Sequence, residues 1–459
     1  MSAQPNLLFV FPDELRQHAL GFMNQDPVIT PHLDRFSTES LVLTHCVSNR
    51  PVCSPYRAML LTGKYPHANG VLTNCNSNNM VYNNYLDASL TCLPDILHHA
   101  GYSQGYIGKW HLDPPSDQHE YTEGPRSDGI VWDSYTTPDR RHGFDFWYSY
   151  GCCDRHFNPH YWPTDAAINE RIDIEEWSVK HETDVAINYI QNADGRHRDP
   201  DKPFALVISH NPPHMPFDQV PKQYVDRYGD ATNEELLNRP NVRFEGEGGG
   251  VAKIHGKNYF AAVTGVDEQF GRILQCLREE GLDENTIVVF TSDHGEMMGS
   301  HGRYGKSVWY DESLLVPFLI RWPDHIQPGR DDLLLSTPDL MPTLLALMGL
   351  GNQIPDDVQG TDLSGAFLGH DINRPASALY LDVHPAHPAE GKRGVRTHRY
   401  TFVIERESGH PDRYILHDNQ EDPYQLRNVA GEQPDVVREL KDETHRWLVK
   451  TGDPWDRSR

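Results

Sequence analysis

The sequence predicts an α/β protein, a buried and largely parallel sheet covered by helices, and three observations carry that expectation. Residues 6–11 (NLLFVF), 204–209 (FALVIS) and 286–290 (TIVVF) are short uninterrupted apolar runs, the pattern of strands buried on both faces. Between the last two, residues 259–277 place Val263, Val266, Phe270, Ile273, Leu274 and Leu277 at helical spacing, as a crossover helix ahead of the TIVVF strand would. The first and last of these strands run directly into acids, Asp13 and Glu14 after one and SDHGE after the other, so carboxylates are expected at one edge of the sheet.

The remaining elements follow in order. Residues 113–138 are polar and rich in Pro and Gly, which predicts irregular structure, and the EGEGGG stretch at 245–250 is expected to be a flexible loop. After about residue 370 the texture shifts to short β-like pieces such as RYTFVIE, a turn-rich HDNQEDPYQL and a helical run over 436–449. The organisation expected is a main α/β unit over 1–370 and a smaller C-terminal unit over 371–459.

Bulk properties narrow the function. A formal charge of −25 over 459 residues argues against a nucleic-acid binder, which needs a basic face. Seven cysteines in so long a chain are no disulfide framework. The opening MSAQPNLLFVFPDE is too short in apolar length for a signal-peptide core, and no stretch could span a bilayer, so a cytoplasmic protein is expected, or a periplasmic one if a leader precedes this chain.

Residues 53–63 read Cys-Ser-Pro-Tyr-Arg-Ala-Met-Leu-Leu-Thr-Gly. A cysteine near an arginine is by itself most often a small buried residue, but the whole segment resembles the signature of type I sulfatases, C-x-P-x-R ahead of an apolar helix and T-G. The resemblance implies that a formylglycine-generating or sulfatase-maturing enzyme converts Cys53 to formylglycine. A hydrated aldehyde offers two geminal hydroxyls: one attacks sulfur, and the other, once deprotonated, expels the sulfate as the aldehyde re-forms. A serine would leave a stable sulfate ester.

Two further sets of residues extend the resemblance. Asp13 with Glu14, and Asp293 with His294, match the two halves of the sulfatase metal site in chain order. Hard cations need oxygens converging from separate loops, although an Asp at a strand end is often only a helix cap. The resemblance implies one divalent metal, Ca²⁺ first and Mg²⁺ second. Glu14 departs from the family's Asp-Asp or Asp-Gln pair, and His294 would ligate through nitrogen. The segments GKWHL (108–112), NPPHMPF (211–217) and HGRYGK (301–306) are similar to those that surround the sulfate in the family. They imply that Arg57 and Lys109 orient the nucleophile, Lys306 neutralises sulfate oxygens, His214 protonates the leaving alcohol, and His111 is the base for sulfate elimination, with the two histidines exchangeable. The site is expected at a strand edge rather than in the core.

The likeness spans nearly the whole chain and implies an alkaline-phosphatase-like fold: a large mixed sheet between helices plus a C-terminal four-stranded antiparallel sheet with a packed helix. Residues 147–156 bunch aromatics with Asp154, Arg155 and His156, which suits a saccharide and equally suits a packed turn. A sulfated saccharide is the expected substrate. A phosphonate monoester or phosphodiester hydrolase of the same fold and a noncatalytic glycan-binding relative are the alternatives.

Overall fold

The computed structural model describes residues 4–455, so the first three residues of the segment weighed as a leader lie outside the described residues. Its main sheet has ten strands. Near the centre, β1 (Asn6–Val10) runs parallel to β7 (Phe204–Ser209) on one side and to β8 (Thr286–Thr291) on the other. Beyond β7 come the parallel strands β3 (Ser103–Lys109) and β4 (Phe146–Tyr150), then the antiparallel β5 (His160–Pro163) and β6 (Ile172–Asp173). Beyond β8 lies the antiparallel β9 (Leu315–Arg321), followed by β2 (Leu41–Val47) and β10 (Gly329–Ser336).

Both faces of the central strands are buried, which explains their unbroken apolar runs. Leu7 and Phe9 of β1 and Ile287 and Val289 of β8 join one core with Leu60 and Leu61 of helix Cys53–Thr62 and Leu344 of helix Leu340–Leu347. Leu8 and Val10 of β1 and Val288 and Phe290 of β8 join the other, with Tyr189 of helix Ser178–Gln191 and Val263, Val266, Phe270, Ile273 and Leu274 of helix Gly246–Glu279. The period-two pleat thus assigns alternate residues of one strand to opposite helical layers.

A separate four-stranded antiparallel sheet contains β11 (Ala378–Asp382), β12 (Gly391–Arg396), β13 (Tyr400–Arg406) and β14 (Arg413–Asp418) in sequential order. Helix Pro434–Thr451 packs on it through Leu440 and Leu448, and Met59 and Tyr65 join the same cluster from the main unit. The small sheet therefore supports the back of the helix that begins at Cys53. Residues 113–137 contain no helix or strand, as their composition predicts. Among the described residues no helix is long and apolar enough to cross a membrane, and all seven cysteines are free and buried.

One element differs from expectation. The stretch 245–250 is no flexible loop: Glu245 is the N-cap, and helix Gly246–Glu279 begins with the glycines. Glycine's poor helix propensity is overridden by close packing. A Cβ on Gly248 would lie 2.3 Å from the Arg303 backbone, and one on Gly249 would lie 2.4 Å from that of Phe244, whereas one on Gly250 would meet nothing within 4 Å. Gly250→Ala is therefore expected to stabilise the protein by about 0.5–1 kcal/mol, and Gly248→Ala to destabilise it by about 1–3 kcal/mol through overpacking. Urea unfolding midpoints of the two variants check this, and equal shifts of one sign would show the glycines to be interchangeable.

Candidate active site

Four parallel strands deliver side chains to one edge. Asp13 follows β1, Asp293 and His294 follow β8, Lys109 ends β3, and Asn211 and His214 follow β7. Cys53 is the first residue of helix Cys53–Thr62, where the unpaired N–H groups carry partial positive charge. Arg57 stands four residues on, one turn along the same helix face. Pro55 is accommodated because the first turn needs no N–H donor there. The site does lie at the strand ends, but it is enclosed rather than open: Cys53 is 1% exposed, and all ten residues of its helix are buried.

The Arg57 guanidinium bridges the two acids. Its Nη2 lies 3.2 Å from Asp13 Oδ2 and 3.2 Å from Asp293 Oδ2, and Nη1 donates to Ser209 Oγ and to the Lys109 carbonyl, each at 2.6 Å. Lys109 Nζ donates to Asp13 Oδ2 (2.7 Å) and Asn211 Oδ1 (3.1 Å) and lies 4.0 Å from Cys53 Sγ. Burial works against the charge of Asp13, but Lys109, His214, His294 and Lys306 override it and hold this carboxyl well below the usual range. Burial likewise opposes the charge on Lys109, which Asp13 and its neighbours keep protonated.

His294 supplies the test for a cation. Its Nδ1 faces the Gly295 carbonyl at 3.0 Å and serves as donor there, which leaves Nε2 facing the site. That Nε2 lies 3.3 Å from Asp13 Oδ1, 3.6 Å from Asp293 Oδ1 and 3.3 Å from Cys53 Sγ. Asp13, Asp293 and His294 thus bring two carboxylates and a ring nitrogen together beside Cys53, a donor set that fits a divalent metal.

Glu14 falls in a second group that could hold a metal, with Asp13 and His214, whose ligand atoms lie within 4.8 Å of one another. Its backbone N–H donates to Asp293 Oδ1 (3.1 Å), but its carboxylate turns to Lys306 Nζ (3.2 Å) and His214 Nε2 (3.5 Å). Burial pushes Glu14 up to about 8, with Lys306 opposing and Glu296 reinforcing. Glu14 (φ 71°) and His111 (φ 52°) both hold left-handed backbone, a conformation that side-chain-bearing residues keep only where their surroundings enforce it.

The histidines occupy different places. His111 is 2% exposed, faces the Cys75 carbonyl through Nε2 (3.1 Å), and has Cys53, Lys109 and Arg57 as its electrostatic neighbours. His214 is 8% exposed and stands between Glu14 and Asp154, its Nδ1 facing the Met215 carbonyl at 2.7 Å. Burial, then Lys306 and Lys109, hold its pKa well below the ordinary value.

The 154–156 segment divides. Asp154 joins the site, 3.3 Å from Asn211 Nδ2 and 3.7 Å from His214 Nδ1. His156 lies buried against the His214 carbonyl (2.9 Å), and Arg155 pairs with Glu123 (2.9 Å) rather than with any residue of the site. Sequence reasoning assigned no role to Asn211, which links Lys109 to Asp154, although its Asn-Pro-Pro-His segment signalled it. It also passed over Glu296, inside the quoted SDHGE tip, whose Oε1 accepts from Met298 N (2.8 Å) and Gly305 N (2.9 Å) and so holds the loop that carries Lys306.

Comparison with known proteins agrees with this geometry. Residues 5–350 match the Sulfatase family and residues 299–450 match the N-sulphoglucosamine sulphohydrolase C-terminal family. An endo-4-O-sulfatase of Bacteroides thetaiotaomicron is 42% identical across 98% of this chain and 93% of its own length. An ulvan-active sulfatase of Formosa agariphila is 34% identical across 98% and 82%. A solved Bacteroides thetaiotaomicron structure, described under the metabolism of multiple glycosaminoglycans, superposes with TM-score 0.91 at 40% identity, covering 99% of this chain and 98% of that one. The alkaline-phosphatase-like sheet, the cysteine signature and these relatives together place the chain in the sulfatase family of sulfuric ester hydrolases.

Proposed function

We propose that this enzyme removes an O-sulfate group from a polysaccharide at Cys53 after its conversion to formylglycine, with one divalent cation, Ca²⁺, held by Asp13, Asp293 and His294. The observation that carries the reading is the convergence of those three residues with Arg57 and Lys109 on the Cys53 side chain. The names of the two relatives support a polysaccharide substrate, and a 4-O-sulfate within a chain is the first ester to try.

When bound, the cation polarises a sulfate oxygen and lowers the pKa of the attacking hydroxyl. The chain's own residues do the rest. Arg57 and Lys109 fix the nucleophile, and Lys306 neutralises charge on the nonbridging sulfate oxygens as the ester S–O bond breaks. His214, at the more open side of the site, gives a proton to the departing sugar oxygen, and its lowered pKa makes it the stronger acid once protonated. His111, enclosed beside Cys53, is placed to take the proton whose loss releases sulfate and regenerates the carbonyl.

Cys53→Ala is expected to abolish turnover while the unfolding midpoint stays close to that of the wild type, and the mass of the peptide carrying Cys53 reports formylglycine in material made with a maturation enzyme. Turnover surviving in the alanine variant would remove Cys53 from the mechanism.

Arg57→Met takes away the counter-charge that two buried carboxylates share. In chelator the variant is expected to lose about 3–5 kcal/mol of stability, and added Ca²⁺ should raise its melting temperature more than it raises that of the wild type. A melting temperature indifferent to Ca²⁺ in both proteins would exclude the cation site.

The two histidines should separate by leaving group, because a sugar alkoxide needs a proton on departure and a nitrophenolate does not. His214→Ala should depress hydrolysis of a sulfated sugar far more than that of nitrophenyl sulfate, whereas His111→Ala should slow release of enzyme-bound sulfate from both substrates. The reverse pattern in paired steady-state and burst measurements would exchange the roles.

A further inference from the structure

Outward from the nucleophile, the site opens along a defined chain of contacts. Lys109 bonds Asn211, Asn211 bonds Asp154, and Asp154 Oδ2 pairs with Arg126 Nη2 at 2.8 Å. Side-chain exposure rises along the same direction, from 0% at Lys109 to 16% at Asp154 and 32% at Arg126. Arg126 belongs to the irregular 113–137 segment, yet that segment is pinned. Buried Asp133 accepts from Cys152 N (3.2 Å) and Glu123 N (2.9 Å) and faces His160 Nε2 (2.8 Å), and a turn closes from Gly129 N to the Arg126 carbonyl (2.8 Å). The Arg126 guanidinium lies over the Trp132 ring at 5.0 Å, and Trp132 lies 6.0 Å from the His111 ring. Among the described residues neither its Nε nor its Nη1 makes a hydrogen bond, so a pre-placed cation with unused donors stands at the open side of the site beside an aromatic face.

We propose that Arg126 and Trp132 form a second anion subsite, which takes a carboxylate or second sulfate on the sugar adjoining the one whose ester is cleaved. This rests on the polysaccharide sulfatase reading above. The guanidinium keeps one edge on Asp154 and offers the free donors to the ligand, while Trp132 presents an apolar surface to the sugar ring. Asp154 prevents the subsite from acting as a general anion sink: an anion that cannot reach Nε or Nη1 from the side away from Asp154 meets a like charge instead.

The test compares four substrates: a sulfated sugar linked to a hexuronic acid, its carboxyl-reduced counterpart, the counterpart carrying a second sulfate in place of the carboxylate, and nitrophenyl sulfate. The wild type should prefer the two doubly anionic saccharides. Arg126→Gln should lower kcat/KM on the preferred substrate by about ten-fold or more, as loss of a charge-assisted hydrogen bond does. The loss should appear in KM, rates on the reduced saccharide and on nitrophenyl sulfate should change less than about two-fold, and Arg126→Lys should restore part of it. Preference for the uronate or for the disulfated saccharide identifies which anion the subsite takes. Equal losses on all four substrates would overturn the proposal, since Arg126 would then act only by steadying Asp154 and His214, and an unchanged preference in Arg126→Gln would overturn it too. A wild type inactive on every sulfate ester would overturn the sulfatase reading and this proposal with it.

Discussion

The site depends on one ionic arrangement, the Arg57 guanidinium shared between Asp13 and Asp293. Two carboxylates at the ends of adjacent parallel strands, β1 and β8, repel each other in a dry interior, and a single planar cation with divergent N–H groups satisfies both while two further bonds anchor it to Ser209 and the Lys109 carbonyl. The arrangement explains the spacing of the cysteine signature. Cys53 and Arg57 are one helical turn apart, so whatever fixes the arginine between the acids also fixes Cys53 beside them. The packing behind that helix, Met59 and Tyr65 against the C-terminal sheet and Leu60 and Leu61 against the central strands, sets its height over the strand ends.

What was legible in the sequence was what local pattern and short motifs encode. The apolar runs gave away β1, β7 and β8 because a strand buried on both faces has no polar positions, and the periodicity of residues 259–277 revealed the crossover helix. The pairing of Asp13 with Asp293 and the cations Arg57, Lys109 and Lys306 were visible as motifs in chain order. Residues 245–250 misled because the close packing of Gly248 depends on the backbone of Arg303, distant in sequence, and that of Gly249 on the path of the chain at Phe244. The direction of the Glu14 side chain was equally hidden: nothing local distinguishes a carboxylate that turns to Lys306 from one that turns to Asp293. Arg126 was invisible for the same reason, since its segment has no periodicity and its meaning comes only from the contact with Asp154.

A chain with a formal charge of −25 must still hold an anion, and the local charges show how. Arg57, Lys109 and Lys306 bring three positive charges to the site. Asp13 and Asp293 return two, the charge of Asp154 is matched by Arg126, and burial raises the pKa of Glu14 to about 8. The excess is small, and the divalent cation proposed between Asp13, Asp293 and His294 would make it large. With the proposed cation in place, anion binding and metal binding would be coupled through the same two carboxylates.

The order of burial separates chemistry from recognition. The groups gathered around Cys53, namely Arg57, Lys109, Asp293 and His294, are almost wholly enclosed, built on strand ends and a helix start whose geometry the sheet dictates. The groups farther out, Asp154, Arg126 and Trp132, stand on irregular segments held by a few side-chain bonds such as those of Asp133. Moving an enclosed group would disturb the sheet itself, whereas a change in the outer segments alters only which molecule fits against the site. One scaffold can therefore keep the residues around Cys53 fixed while outer segments such as residues 113–137 vary, and the subsite proposed at Arg126 would lie in such a segment.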